Sequence, residues 1–348
     1  MTGATAALIG LGGIADEHLA KLRWMPDVEV VAVCDLSMTL ARAVAERFEV
    51  GGAYDDAQRM LEEKRPDAVH ILTPPGPHHR LALTALDAGA HVLVEKPIAT
   101  SWTEYAEMRD AARAADRMLV ENYNYRFMRA VLKGLEARRS GAIGEPVALD
   151  VSMTVGVGSG SGPYADRDLP HFAHDLPGGA LFNFASHPAS MVAAFLGAPD
   201  EVCARRRRVG SASLSDDELR AVVGVGGASA TVTLTSHAQP SSFTLDLRGT
   251  EGRLEVDVFN QRVFVSRADG RIGRLLDAAR LGANQLQGAG AMALRVATAR
   301  HDYFEGLRTL LERFYAAVNG TGPPPVPVAE MDAANHLVAA LFDPGNQL

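Results

Sequence analysis

The chain has 348 residues, of which 47% are apolar and 22% are charged, and this is enough for about two domains with sizeable cores. The net charge of −8 argues against a general nucleic-acid binder. Two cysteines, Cys34 and Cys203, make neither a disulfide framework nor a zinc pattern, so we expect a reducing, cytoplasmic location. We expect no signal peptide, because a basic leader is missing at the start of the sequence. We also expect no membrane helix, because apolar and polar residues alternate within the uncharged stretch 221–238 as they do in a strand.

Short apolar runs alternate with helical patterns over the first third of the chain. The runs are apolar throughout, which is typical of parallel strands that are buried on both faces of a sheet. The pattern therefore predicts a doubly wound parallel sheet as a first domain, residues 1–122. The predicted strands cover 5–10, 28–35, 68–75, 91–97 and 117–123, and helical patterns follow the first three of them.

The first strand leads into Gly10-Leu-Gly12-Gly13-Ile14-Ala15, a G-x-G-x-x-A form of the dinucleotide fingerprint. Gly10 permits a tight turn, Gly12 lets the backbone approach a pyrophosphate, and the helix N-terminus offers free N–H groups. Asp35, at the end of the second strand, can accept hydrogen bonds from both ribose hydroxyls and repels a 2′-phosphate. A glycine turn without a nucleotide is the alternative, but the position between a strand and a helix favours a Rossmann domain that binds NAD rather than NADP.

Two further strands end in proline and polar residues, in the segments 72–79 and 94–100. Ligands of such sheets bind beyond the carboxyl ends of the strands, so we expect Lys96 to lie where the nicotinamide binds. A solvated lysine is the alternative, but its arrival with Glu95 and Pro97 favours a positioned ammonium group. The candidate cofactor contacts are Gly10, Gly12, Gly13, Ile14, Asp35, Leu36, Thr73, Pro74, His78, Glu95, Lys96, Asn122 and Arg126.

Residues 123–348 are predicted to form a second domain. The last helix is expected to pack near the first domain, and the linker NGTGPPPVP precedes it. Apolar and polar residues alternate along the predicted strand ATVTLTS, so one face of the strand is apolar and the other is polar. The polar face must meet solvent or a partner. The predicted elements are a Gly/Ser-rich loop at 156–163, a helix at 178–196, strands near 201–209, 219–225, 228–236, 242–248 and 252–266, and helices near 301–319 and 329–342.

Within GGALFNFASHPASM, residues 178–191, Asn183 and His187 lie four residues apart. On a helix this spacing puts both side chains on one face. A histidine in an apolar helix is more often a satisfied core residue than a catalytic one, so the pattern alone leaves both interpretations open.

Four segments together resemble the Gfo/Idh/MocA oxidoreductases, which are named for glucose–fructose oxidoreductase, inositol dehydrogenase and a rhizopine-catabolism protein. The segments lie in the family's order over most of the chain, and AGAHVLVEKP is the most specific part. The resemblance implies a Rossmann domain followed by an open, mostly antiparallel sheet domain, whose exposed face builds dimers or tetramers. The segments are GLGGIADEHL, TPPGPHHRLALTALDAGAHVLVEKPIA, ENYNYRF with GAIGEPV, and GGALFNFASHPASM.

The resemblance also implies a site and shows a departure from the family pattern. In the family, glycines, an aspartate and a histidine four residues later place an acid and a histidine beside the lysine of the EKP motif. Lys96 and His187 match the lysine and the histidine, whereas Asn183 stands at the aspartate position. Ser190 replaces a second aspartate, and Pro177 stands where a third glycine is common. The departure concerns the mechanism more than the fold.

Hydride transfer at a carbinol carbon needs an acid or base and a group that stabilises oxyanion character. His187 is the candidate acid/base, because imidazole ordinarily titrates near neutral pH. Lys96 is the candidate for holding the substrate oxygen. Asn183 can orient its neighbour by a hydrogen bond but cannot supply the charge of an aspartate. The catalytic set is Lys96, His187 and Asn183, and the substrate contacts add Tyr123, Tyr125 and His174.

Other polar clusters carry weaker interpretations. His171, His174 and Asp175 precede the helix, but no third convergent ligand is evident, so we predict no metal. The run 205–208 of four arginines is typical of a solvated sheet edge, since strand alternation leaves only two of them on one face.

The sequence therefore predicts an NAD(H)-dependent oxidoreductase that acts on a sugar, a polyol or a sugar derivative. One alternative is a glycoside-cleaving enzyme that uses bound NAD without net redox. Another is a non-catalytic nucleotide-binding regulator, which fits the loss of the aspartate. The expected partners are a small-molecule substrate and further copies of the chain as a homodimer or homotetramer, with no nucleic acid and no membrane.

Overall fold

The computed structural model describes residues 3–159, 164, 171–210, 216–267, 282 and 304–343. The chain divides into two compact units. The first unit is Met1–Tyr123 with Leu307–Pro327, and the second is Asn124–Gly306 with Val328–Leu348.

The first unit contains a six-stranded parallel sheet in the order β3-β2-β1-β4-β5-β6. This is the strand order of doubly wound dinucleotide-binding folds, whose ligands bind where the order reverses. The predicted Rossmann sheet is confirmed. Its strands are β1 (Ala4–Ile9), β2 (Val28–Cys34), β3 (Ala53–Tyr54), β4 (Ala68–Ile71), β5 (His91–Val94) and β6 (Leu119–Glu121).

Helices connect these strands, and several begin at a side-chain cap. Ser37, Asp56 and Ser101 each accept a hydrogen bond from a backbone N–H in the first turn of the helix that follows. The helices of this part of the chain are α1 (Gly13–Leu22), α2 (Met38–Phe48), α3 (Ala57–Lys64), α4 (His78–Asp87) and α5 (Trp102–Ala114).

The second unit contains a seven-stranded sheet in the order β13-β12-β11-β7-β10-β9-β8. All neighbours are antiparallel except β7 and β10, which run parallel, so the predicted mostly antiparallel sheet is confirmed. The elements are α6 (Arg129–Arg139), β7 (Pro146–Thr154), α7 (Gly179–Phe195), β8 (Glu201–Arg207), β9 (Glu218–Val225), β10 (Ala228–Thr235), β11 (Ser242–Gly249), β12 (Arg253–Asp257) and β13 (Arg262–Ser266).

Alternation along β10 matches the sequence pattern, because Ala230, Val232 and Leu234 are buried. The single run predicted at 252–266 is instead two strands, since a turn that ends at Gln261, with φ of 55°, separates β12 from β13. The loop predicted at 156–163 begins with a 3-10 turn at Gly156–Ser159, and residues 160–163 lie outside the described ones.

Two helices close the described chain, α8 (Glu305–Val318) and α9 (Val328–Phe342). α9 belongs to the second unit, where Phe342 meets Phe182 of α7 at 5.0 Å between ring centroids. That it also packs near the first domain stays a prediction. Residues 307–318 of α8 belong to the first unit, whereas Glu305 and Gly306 at its start belong to the second. Apolar periodicity marks both helices but does not say which core each one joins. Across the described residues, the structure contains no helix whose length and apolar content would let it span a bilayer.

Candidate active site

The glycine turn after β1 forms a cradle that side chains leave open. Gly10 has a φ of +91°, and a Cβ there would lie 2.7 Å from the backbone nitrogen of Thr73, so only glycine fits. α1 begins at Gly13 with Gly12 as its N-cap, and no side chain caps it. A Cβ on Gly12 or on Gly13 would meet no atom within 4 Å. The first N–H groups of α1 therefore face open space, as a pyrophosphate requires.

Asp35 directly follows β2 and is held by two backbone donors. The N–H of Leu11 donates to Oδ2 and the N–H of Ser37 donates to Oδ1, each at 2.9 Å. The carboxylate is therefore oriented beside the glycine turn and keeps further acceptor capacity for ribose hydroxyls. Its neighbour Leu36 is 97% exposed, which leaves an apolar surface at the same strand end.

A cavity of about 630 Å³ lies at the carboxyl ends of β1, β2 and β4. It brings together six of the thirteen predicted cofactor residues. The other seven lie outside its lining, namely Gly13, Ile14, His78, Glu95, Lys96, Asn122 and Arg126. Sequence reasoning missed several lining residues, and the acidic pair 55–56 directly after β3 was the available signal for two of them. The predicted residues in the lining are Gly10, Gly12, Asp35, Leu36, Thr73 and Pro74, and the missed ones include Leu11, Leu40, Asp55, Asp56 and Arg80.

Lys96 is the second residue after the end of β5 and is half-buried. Burial lowers the pKa of Lys96, while the nearby carboxylates of Glu95 and Glu121 act in the opposite direction. Both carboxylates are buried, and Glu121 also accepts the N–H of Ile98 at 3.3 Å. The peptide bond between Lys96 and Pro97 is cis. That the lysine is a positioned ammonium group stays a prediction.

The carboxylate of Glu95 accepts hydrogen bonds from its neighbours. Asn122 donates to Oε1, and the backbone N–H of Lys96 donates to Oε2 at 3.2 Å. Burial alone would raise the pKa of Glu95, but hydrogen bonds from His18 and Asn122 and the charge of Lys96 lower it on balance. Two predicted cofactor residues, Glu95 and Asn122, are thus in direct contact with each other.

The ring of His78 is buried, and it links the two loops that follow β4 and β5. Nε2 lies 2.8 Å from the carbonyl oxygen of Thr73, and Nδ1 lies 3.1 Å from that of Pro97. Burial lowers the pKa of His78, and the bonds to these carbonyls act in the opposite direction. The structure gives this histidine a role in holding the loops, and contact with the cofactor stays a prediction.

The second unit carries Asn183 and His187 one turn apart on α7, with 0% and 3% of their surface exposed. The ring of His187 packs against that of Tyr125, with 4.3 Å between centroids. Nδ2 of Asn183 donates to the hydroxyl oxygen of Tyr164 at 3.1 Å. Tyr164, which sequence reasoning missed, also packs against His171 at 4.1 Å between centroids. Because Tyr164 lies far from α7 in the sequence, no spacing rule points to it.

Three other predicted residues have different surroundings. Tyr123 is 1% exposed at the end of the first unit. Arg126 is buried and donates to Glu330 of α9. His174 is half-buried in the 3-10 turn Phe172–Asp175. Over the described ranges, no group of three or more His, Cys, Asp or Glu side chains is placed to hold a metal ion.

The sheet order, the open glycine cradle and the oriented carboxylate define a dinucleotide-binding α/β protein with a second, mixed-sheet unit. The oxidoreductase family GFO/IDH/MocA, with its NAD-binding Rossmann fold, matches residues 4–123, and the GFO/IDH/MocA C-terminal domain matches residues 131–255. The chain belongs to the GFO/IDH/MocA oxidoreductase family.

Two relatives indicate the range of chemistry in the family. D-glucoside 3-dehydrogenase of Escherichia coli is 36% identical over 140 residues, which are 40% of this chain and 40% of that protein. The chain thus matches less than half the length of that relative. The dTDP-3,4-didehydro-2,6-dideoxy-alpha-D-glucose 3-reductase of Streptomyces violaceoruber is 31% identical over 259 residues, 72% of this chain and 73% of that protein.

Solved structures show the same fold. The WlbA dehydrogenase from Bordetella pertussis, in complex with NADH and UDP-GlcNAcA, aligns with a TM-score of 0.80 and 20% identity over 98% of this chain and 94% of that chain. The predicted family, fold class and NAD-binding Rossmann domain are therefore confirmed. The preference for NAD over NADP stays a prediction.

Proposed function

We propose that the protein is an NAD(H)-dependent dehydrogenase or reductase that transfers hydride to or from a carbinol carbon of a sugar, a polyol or a sugar derivative. The observation that carries the proposal is the half-buried Lys96 at the carboxyl end of β5, flanked by the buried carboxylates of Glu95 and Glu121. Relatives named as a glucoside dehydrogenase and a deoxysugar reductase support the substrate class.

The residues that would hold the cofactor fit a dinucleotide. The N-terminus of α1, without a side-chain cap, suits the pyrophosphate, and Asp35 suits the adenosine ribose. NAD, when bound, supplies the carbon that accepts or gives the hydride.

Lys96 and His187 are proposed to act on the substrate hydroxyl. The ammonium of Lys96 donates a hydrogen bond to the substrate oxygen and stabilises its developing negative charge. The imidazole of His187 takes the hydroxyl proton during oxidation and returns it during reduction. Asn183 supports this histidine as a neutral hydrogen-bonding group and not as a charge. Tyr125, packed on the ring of His187, is proposed to contact the substrate.

Alanine variants test the proposal. We expect His187→Ala and Lys96→Ala each to lower turnover by about 10²–10⁴-fold, as is usual for loss of a general acid or base, while NAD affinity stays largely intact. The exposed residues Lys133 and His336 offer matched controls, and Lys133→Ala and His336→Ala should keep full turnover. The measurement is NADH absorbance over a panel of sugars and polyols, with calorimetric titration of NAD.

The same assay separates the alternatives. Glycoside cleavage without a lasting absorbance change would favour the enzyme that uses bound NAD with no net redox. Full NAD binding without turnover on any substrate of the panel would favour a nucleotide-binding regulator. Wild-type turnover in His187→Ala would remove that residue from the mechanism and return it to a role in the core.

Assembly and location are part of the proposal. We propose a cytoplasmic homodimer or homotetramer built on the second sheet, where Val222 of β9 is 54% exposed. Light scattering at micromolar concentration tests the assembly, and a monomer would contradict it.

A further inference from the structure

Four side chains form a buried polar row inside the first unit, and the proposed mechanism uses none of them directly. His18 Nε2 lies 3.4 Å from Glu95 Oε1, and His18 Nδ1 lies 2.9 Å from His70 Nδ1. His70 Nε2 lies 2.7 Å from the hydroxyl of Tyr315 in α8. Both histidines are 0% exposed, Tyr315 is 1% exposed, and Glu95 is 8% exposed.

With both imidazoles neutral, hydrogen-bond valence leaves the row only two directions. A neutral imidazole has one N–H donor and one acceptor nitrogen, and each histidine here faces a polar atom on both sides. In the first direction, Tyr315 donates to His70, His70 donates through Nδ1 to His18, and His18 donates through Nε2 to Glu95. In the second direction every bond is reversed, which requires a protonated Glu95 to donate.

The surroundings of Glu95 select the first direction. Oε1 already accepts from Asn122, and Oε2 accepts the backbone N–H of Lys96. A proton on Oε2 would face a donor instead of an acceptor, and the hydrogen bonds to Glu95 together lower its pKa. The ammonium of Lys96 further favours the ionised carboxyl. Glu95 is therefore a carboxylate that only accepts.

The protonation states agree with this direction. Burial and the neighbouring His18 lower the pKa of His70 well below its usual range, so that ring is neutral. Burial, with the charge of Asp67, raises the pKa of Tyr315, so its hydroxyl keeps its proton and is able to donate. The ring of His70 also stacks on that of Tyr315, with 5.8 Å between centroids and planes 24° apart.

We propose that Tyr315, His70 and His18 are positioning residues, whose one-way row of hydrogen bonds holds Glu95 as a carboxylate beside the ammonium of Lys96. Tyr315 fixes the tautomer of His70, which fixes that of His18, which donates to Glu95. The effect on Lys96 rests on the proposed function of that residue, whereas the tautomers themselves do not. Among the residues that the structure describes, the carboxylates of Glu95 and Glu121 are the charges that act on Lys96.

The first test reads the tautomers in the whole wild-type chain. Nitrogen-15 labelling of the histidines, with long-range nitrogen–proton correlation spectra, distinguishes Nδ1–H from Nε2–H rings, and single histidine substitutions assign the signals. We expect His70 as Nδ1–H and His18 as Nε2–H at pH 8, above the ordinary titration of imidazole. An Nε2–H ring at His70, or an imidazolium at either position, would overturn the row.

The second test removes the terminal donor with Tyr315→Phe. Without that bond, His18 holds Glu95 less firmly and Lys96 is less stabilised as an ammonium. In a plot of turnover against pH, we expect the fall at alkaline pH to begin about half to one pH unit lower, which is the effect of one hydrogen bond. The affinity for NAD should be unchanged. Tyr105→Phe is the matched control, because that buried ring packs beside Trp102 at 5.5 Å and not beside either histidine.

The outcomes of the two tests are separable. An unmoved alkaline limb in Tyr315→Phe would overturn the positioning role, even with the tautomers as expected. If the wild-type protein shows no turnover at all, the proposed function fails, and the tautomer spectra still decide whether the row exists. If Tyr315→Phe does not fold, the wild-type spectra decide in the same way.

Discussion

Asn183 donates a hydrogen bond through its amide to the hydroxyl oxygen of Tyr164, over 3.1 Å. Burial raises the pKa of Tyr164, and the bond from Asn183 acts in the opposite direction. The position at which the family pattern has an aspartate is therefore occupied here by a neutral amide bonded to a neutral phenol. This pair is one helical turn from His187, so a change of charge at residue 183 acts directly on that imidazole.

Asn183→Asp is expected to shift the pH dependence of turnover. A carboxylate one turn away stabilises the imidazolium form of His187 and so raises its pKa. The limb of the pH–turnover profile that reports this pKa should therefore move to higher pH by about one unit or more. Asn183→Leu is the control, because it removes the hydrogen bond without adding charge and should lower turnover without moving that limb. Equal shifts in both variants would show that charge is not the cause.

Gly12→Ala and Gly10→Ala should separate cofactor binding from folding. A methyl group on Gly12 meets no protein atom, so we expect the free energy of unfolding to change by less than about 0.5 kcal/mol. The same methyl occupies the cradle, and NAD affinity should fall by about tenfold or more.

Gly10→Ala forces a side chain into a φ of +91° and should destabilise the fold by about 1–3 kcal/mol. Urea unfolding and calorimetric titration measure both. Unchanged NAD affinity in Gly12→Ala would exclude the proposed pyrophosphate cradle.

Asp35→Asn tests the choice of cofactor. The amide has a single acceptor oxygen, so it cannot satisfy the N–H groups of both Leu11 and Ser37. It also lacks the charge that repels a 2′-phosphate. We expect NAD to bind about tenfold more weakly and the preference for NAD over NADP to shrink. The exposed Asp87 at the end of α4 supplies the control, Asp87→Asn. Tighter binding of NADP than of NAD by the wild-type protein would contradict the assignment of Asp35.

The buried His70 should make the fold sensitive to acid. Its pKa in the folded protein lies well below the ordinary 6.5, so between the two values only the unfolded chain binds a proton there. The stabilisation is fully present above about pH 6.5 and is lost as the pH falls, by up to about 1.4 kcal/mol per pH unit. His70→Gln removes this titration, so its free energy of unfolding should fall less steeply from pH 6.5 to 5. Parallel slopes in urea unfolding of the two proteins would contradict the neutral buried ring.

Periodicity predicts much of this fold because it depends on local sequence. The apolar runs that became β1, β2, β4 and β5 were readable, as was the alternation in β10, where Val232 is buried. The strand β3, Ala53–Tyr54, has two residues and is too short to leave a pattern. The turn that ends at Gln261 splits a continuous strand pattern, because a single residue with positive φ breaks the ladder.

The site was predictable only where it depends on short motifs. The glycine turn, Asp35 and the EKP segment follow from spacing and strand ends, and the structure brings several of these residues into one cavity. Contacts across long stretches of chain were not predictable. The hydroxyl of Tyr315 meets His70 across 245 positions of sequence, and the amide of Asn183 meets Tyr164 across 19. Such pairs arise from tertiary packing, which a single sequence does not display.

The discontinuity of the first unit has a consequence for how the protein is made. Its sheet lies within the first 123 residues, but Leu307–Pro327 completes it. On the ribosome, His70 therefore emerges long before Tyr315 is synthesised. Its Nε2 can form the hydrogen bond with the hydroxyl of Tyr315 only after that residue has emerged. Domains that are continuous in sequence can fold as units while translation proceeds, whereas this nucleotide unit becomes complete only when nearly all of the second has been synthesised. For the same reason, no single proteolytic cut can release it intact.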